Sequence, residues 1–156
     1  MSGDGDPDRA GEDLTFRWHD NLVYGLSFDI GDPERQDWRS DLRFDIDFIA
    51  EWVCEVDGRC NFRVAPATLI FHDATDLSLS VDQGDTGGQV AIGHWSIDRA
   101  LRERLERPIE YWRWTILLNQ PAGGRITFGA SRFSQSLRAE PILVTEPWLP
   151  RGERGT

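Results

Sequence analysis

The sequence predicts an all-β fold: a single, mainly antiparallel domain built as a sandwich or partly open barrel, with at most one short helix. Three observations carry this. Asp41-Leu42-Arg43-Phe44-Asp45-Ile46-Asp47-Phe48 alternates charged and apolar residues for eight positions. Successive side chains of a strand point to opposite faces, so Leu42, Phe44, Ile46 and Phe48 share a dry face. Asp41, Arg43, Asp45 and Asp47 then share a wet one, as in an antiparallel sheet with one solvated side. Second, similar short segments recur along the chain between Gly- and Pro-containing turns. Third, 156 residues with 39% hydrophobic content, seven Trp and eight Phe suffice for one core.

The elements follow in order. Residues 1–13 are rich in Gly, Pro and Asp, with five acids against Arg9, and are expected to be a disordered acidic tail. Residues 14–149 form the β domain, and residues 150–156 a loose C-terminal tail. Leu22, Tyr24, Leu26, Phe28 and Ile30 alternate as a strand, and Asp32-Pro33 marks a loop. The Asp41 strand runs on towards Val56. Thr68 to Asp73 and Asp76 to Asp82 read as two more strands. Gln83 to Gly88 is a Gly-rich turn into a strand from Val90 to Ser96. The one helix is expected after Ser96, where Ile97, Leu101 and Leu105 recur every fourth residue before Pro108. Trp112, Trp114, Ile116 and Leu118 share a strand face, and Pro121 to Gly124 turns the chain back into Ile126, Phe128 and Ala130.

Cys54 and Cys60 bracket a hairpin at Asp57-Gly58. A two-residue turn sets Phe62 opposite Val53. A three-residue loop with a left-handed Gly58 sets Cys60 opposite Cys54 and Phe62 opposite Trp52. The apolar pattern favours the second register, although Phe48, Ile49, Trp52, Val53 and Val56 also fit a helical face. Two cysteines in a cytoplasmic protein are expected to stay reduced, as small buried hydrophobes. The cytoplasmic expectation rests on an N-terminus without a basic start and apolar run, and no membrane-length apolar stretch is present.

Composition excludes some chemistry. The formal charge of -10 opposes nucleic-acid binding and points to a basic protein partner, if the charge marks a partner at all. All 17 basic residues are Arg. Without lysine there is no Schiff-base anchor and no phosphate-binding loop of the lysine type.

Three constellations could carry function. His19, His72 and His94 are the only histidines; His19 precedes Asp20, and His72 precedes Asp73. With Asp45 and Asp47 they could supply the ligands of a metal-dependent hydrolase, though no metal-ligand spacing motif is present and no cofactor is expected. Asp45 and Asp47 share a strand face about 6–7 Å apart, near the separation of paired glycosidase carboxylates; a solvated strand face balanced by Arg43 competes with that reading. The Trp residues could form a sugar-binding platform. Trp52, Trp112 and Trp114 fall on apolar faces and read as core, while Trp18, Trp38 and Trp148 lie in loop-like contexts. No G-x-S-x-G nucleophile motif occurs.

Trp18-His19-Asp20, then Asp45-Ile46-Asp47-Phe48-Ile49-x-Glu51-Trp52, then Ala65-Pro66-Ala67-Thr68-Leu69-x-Phe71 follow one another along the chain. In this succession the sequence resembles a group of small bacterial β-rich proteins, over residues Phe16 to Pro141. Gly124 to Phe128 and Phe133 to Arg138 fit the same resemblance. The Trp-His-Asp opening is also similar to some immunity proteins of bacterial toxin systems. The resemblance implies a compact β domain and transfers no catalytic residue.

The expected function is therefore a non-enzymatic, acidic protein-interaction domain, immunity-like, with His19, Asp20, Asp45, Asp47 and His72 as candidate binding residues. A sugar- or small-molecule-binding module and a metal-dependent hydrolase are the alternatives. An edge strand could also support a homodimer.

Overall fold

The computed structural model describes residues 13–82 and 94–155. It contains one antiparallel sheet of nine strands: β1 (Leu22–Ile30), β2 (Ser40–Cys54), β3 (Cys60–His72), β4 (Thr75–Ser80), β5 (Trp95–Arg104), β6 (Trp112–Gln120), β7 (Arg125–Ala130), β8 (Arg132–Leu137) and β9 (Ile142–Val144). The order is β4-β7-β6-β5-β1-β2-β3-β8, with β9 also pairing β3, so the sheet does not close. The all-β expectation holds. The turn at residues 83–88 and the strand start at Val90 lie outside the described residues.

The sheet folds over its own apolar face. β3 passes into β4, and β7 into β8, at one corner, where Ser131 N–H donates to the His72 carbonyl and Asp73 takes a positive φ of 55°. Phe71 from β3 therefore meets Phe128 from β7 at 4.7 Å and Trp114 from β6 at 5.0 Å between ring centroids. Leu42, Phe44 and Ile46 enter this core as the alternation of β2 predicts.

Trp18 fills the centre. Successive turns over residues 15–20 aim its ring between the layers, against Phe71, Trp114 and Phe133. Its indole N–H donates to Gln135 Oε1 at 2.8 Å. Expected in a loop-like setting, Trp18 is fully buried, whereas Trp52, expected in the core, is 44% exposed. The exchange has a backbone cause. Residues 15–21 pair with β5 through Ala100 N–H to the Thr15 carbonyl and Ile97 N–H to the Asn21 carbonyl. That pairing anchors the turns under the sheet.

The expected helix is instead β5. Register shifts around Ile97 and Arg99 insert an extra residue, so Ile97 and Ala100, three apart, both face the core opposite Leu118 and Ile116. The recurrence of Ile97, Leu101 and Leu105 does not mark a buried face: Ile97 is buried while Leu101 is 42% exposed, and the bulge puts Ala100 on the core side instead. A second irregularity, between Val23 and Gly25, breaks the alternation expected of β1. Tyr24, Phe28 and Ile30 are exposed.

The hairpin takes the three-residue register: Trp52 pairs Phe62, Cys54 pairs Cys60, and Gly58 has φ 87°. The cysteines are not reduced thiols but form a disulfide. Their directly opposed positions bring the two sulfurs together, so local geometry permits the cross-strand bond that the redox-compartment argument weighed against. No described helix is long and apolar enough to cross a membrane.

Candidate functional site

The five candidate residues fall into three separate clusters on or beside the outer face of the β1–β2–β3–β8 layer. The first lies under the C-terminal chain. Past β9, residues 145–155 cross the outer face, and Leu149 caps a second small core with Ile49, Phe62 and Val64. Asp47, expected on the wet face, is fully buried beneath this crossing. Leu149 N–H donates to Asp47 Oδ2 at 2.9 Å, and Arg154 Nε donates to Oδ1 at 3.0 Å. The same guanidinium reaches Asp45 through Nη2 at 3.0 Å and lies 3.4 Å from the centre of the Tyr24 ring. Arg138 adds a contact to Asp45 at 2.6 Å while donating to Thr68 Oγ1 at 2.9 Å. Residues expected as a loose tail thus supply the partner of the paired aspartates.

Electrostatics here follow burial and pairing. Burial raises the Asp47 carboxyl above its ordinary pKa, and the Leu149 amide and Arg154 offset this only in part. Burial would also raise Asp45, but hydrogen bonds and charge from Arg154 and Arg138 outweigh it and hold the carboxyl low. Tyr24 is raised by burial and by the Asp47 charge. Arg154 occupies the space between the carboxylates, so the pair is a clamp for a guanidinium, not the open acid and base of a glycosidase.

The second cluster surrounds His19. Its Nδ1 lies 2.8 Å from the Asp98 carbonyl, its Nε2 3.5 Å from Asp20, and its ring stacks on Trp52. Asp20, in the left-handed region with φ 63°, accepts from Asn119 Nδ2 at 2.7 Å. Asn119 also bonds Ser96. These contacts tie the N-terminal turns to β5 and β6.

The third cluster contains a pairing absent from the sequence reading. His72 Nε2 lies 2.8 Å from Ser134 Oγ, and its Nδ1 lies 3.3 Å from Oδ1 of Asp41. Asp41 is buried, another departure from the expected wet face, and its Oδ1 makes no hydrogen bond. The only sequence signal for this grouping is the register, since residues 41, 72 and 134 are far apart along the chain. Strand pairing places Leu42 opposite Phe71 and Ile70 opposite Ser134, so the three residues share one face.

The clusters do not merge. Among the described residues no group of three or more His, Cys, Asp or Glu could hold a metal ion. Two shallow clefts bear Trp residues. One, of about 230 Å³, opens where β1 and β5 part and is lined by Val23, Tyr24, Gly25, Leu26 and Trp95. The other, of about 490 Å³, lies along Val144, Thr145, Glu146, Trp148 and Pro150.

The sheet also leaves an open edge. Among the described residues β4 ends the strand order and pairs only β7, and it is exposed at all six residues. No Lys or Arg occurs between Arg63 and Arg99, a stretch holding Asp73, Asp76, Asp82, Asp85 and Asp98. Comparison with protein-family models, with curated proteins and with solved structures finds no match to this chain.

Proposed function

We propose that this protein is an acidic interaction domain that docks a basic protein partner along the edge of β4. The observation that carries this reading is the combination of a fully exposed edge strand with a flanking sequence that contains acids and no cation. An unpaired edge offers a row of backbone donors and acceptors to an incoming strand. Leu77 and Leu79 add exposed apolar contact on one face. Asp76 in β4, with Asp73 and Asp82 flanking it, outnumber Arg125 opposite Ser80 and favour a partner strand carrying Arg or Lys, through steering and charge complementarity. Pairing of two copies through this edge would set like charges together, so a second copy fits less well.

The test is amide exchange with two peptides, one alternating Arg and Val, the other Glu and Val. The Arg peptide is expected to protect amides of Thr75 to Ser80, and the Glu peptide is not. A Ser78→Arg/Leu79→Arg variant is expected to bind at least about tenfold more weakly, a loss of roughly 1.4 kcal/mol. Equal binding of both peptides, or protection away from β4, would refute the reading.

The cleft at Trp95 favours a second reading, as a small-molecule-binding module. Its lining is apolar and aromatic, a surface suited to the flat face of a sugar ring. Quenching of tryptophan fluorescence by a saccharide panel, lost in Trp95→Ala, is the expected sign. An unchanged response in that variant would remove the cleft from consideration.

A further inference from the structure

We propose that Ser134, His72 and Asp41 form a nucleophilic acyl-transfer site that reacts with small activated acyl esters. This inference is independent of docking at β4. The three residues lie on adjacent strands β8, β3 and β2, with their side chains on the same outer face. Ser134 Oγ is 2.8 Å from His72 Nε2, within reach of a general base. On the far side of the ring, Nδ1 faces Asp41 Oδ1 at 3.3 Å. With the proton on Nδ1, the Nε2 lone pair is directed to the serine hydroxyl, and a carboxylate stands behind the ring to stabilise the imidazolium.

Asp41 strengthens the assignment. Burying a carboxylate is costly unless it is paired. Asp41 is nonetheless buried, its Oδ1 lacks a hydrogen bond, and Arg39 approaches its other oxygen only to 3.8 Å. His72 Nδ1, 3.3 Å from Oδ1, is the ring nitrogen this carboxylate stands behind. Catalytic hydrogen bonds of this kind often tighten only when substrate is present. Arg132 pairs opposite His72, two residues from Ser134 on the same strand face, and is exposed. Along β8 it is the cation nearest Ser134, placed to face a developing oxyanion there.

The step balances without a further reagent. Ser134 Oγ forms a bond to the ester carbonyl carbon as its proton passes to His72 Nε2. The carbon–oxygen bond to the leaving group breaks, and the alcohol departs with the proton from Nε2. Water, deprotonated by the same nitrogen, then releases the acid and restores the serine. Ser134 is half-buried, while His72 and Asp41 are largely covered, so the site suits a small acyl group on a good leaving group.

The test is exposure of the full chain to p-nitrophenyl acetate, followed by phenolate release, intact mass and peptide mapping. One acetyl group on Ser134 is expected, with a phenolate burst equal to the protein present. The chain has no lysine, which removes the usual competing acceptor. Ser134→Ala is expected to abolish the label, and Ser134→Cys to retain one. His72→Ala is expected to slow acylation by about 100-fold or more. Ser136→Ala, on the same strand, should leave the label unchanged. Acetylation of Ser134→Ala at the wild-type rate, a label confined to other residues, or no label at all would each overturn the assignment.

Discussion

Trp18→Ala is expected to be the most damaging single substitution in the described chain. Removing a fully buried Trp costs about 3–5 kcal/mol in lost transfer energy and cavity formation. The ring contacts with Phe71, Trp114 and Phe133 disappear together, because Trp18 is the common neighbour of all three. Gln135 Oε1 also loses its indole donor in a buried setting, where an unmet acceptor costs roughly 1–3 kcal/mol. A domain of this kind has about 5–15 kcal/mol in total, so the variant should be largely unfolded at modest urea concentrations. Trp38→Ala is the control: Trp38 is 75% exposed, and its loss should change stability by about 0.5 kcal/mol or less. Urea titration followed by far-UV circular dichroism measures both. Similar midpoints for the two variants would mean that Trp18 does not hold the layers together.

Arg154→Ala is expected to be the most damaging change outside the main core. It removes the guanidinium that serves both Asp45 and Asp47 and leaves Asp47 buried with the Leu149 amide and the Tyr24 side chain as its remaining partners. Breaking a buried pair from one side costs about 3 kcal/mol. Asp45 is 39% exposed and can rehydrate, so most of that cost falls on Asp47. Adding Asp47→Asn should recover about half of the loss, since the amide keeps a hydrogen-bond acceptor without stranding a charge. A double variant no more stable than Arg154→Ala would show that the cost lies in lost packing against Tyr24 instead.

The same pair sets the pH dependence. The Asp47 pKa is raised in the folded protein, so the folded state binds that proton more tightly than the unfolded chain. Its contribution is present below the ordinary carboxyl value and is lost as pH rises through the folded one. Asp45 is lowered, so its contribution is present above the ordinary value and is lost as pH falls through the folded one. In Arg154→Ala the opposing charge is gone, so protonating Asp47 relieves the buried carboxylate. The gap between wild type and variant should therefore be widest near neutral pH and close towards acid. A gap constant with pH would contradict a charge-based origin.

Several features were legible before any tertiary contact was considered. The inward face of β2 followed from period-two alternation, since Leu42, Phe44 and Ile46 must share one side of an extended chain. The Cys54–Cys60 register followed from the apolar pattern, which chose between two loop lengths, and from the left-handed tolerance of Gly58. Three readings failed for local reasons. Bulges in β1 and β5 inserted residues that shifted the alternation, and in β5 the four-residue recurrence of Ile97, Leu101 and Leu105 marks no buried face, since Leu101 is exposed. The paired cysteines were judged by compartment, while their cross-strand opposition brought the sulfurs together.

The candidate site shows the same division. Sequence singled out Asp45 and Asp47 as neighbours on one face, and that adjacency holds. It could not reveal that residues 145–155 return across that face, because no local pattern announces where a chain end will pack. The crossing turns Asp47 from a surface acid into a buried one and places Arg154 between the carboxylates. The Ser134–His72–Asp41 relay likewise required three strands to meet in register. Local alternation and turn chemistry act over a few residues and so determined most of the strands, the hairpin and the fold class, but not β5. Burial, charge pairing and the grouping of distant polar residues depend on which segments cover one another, and only the tertiary structure decided them.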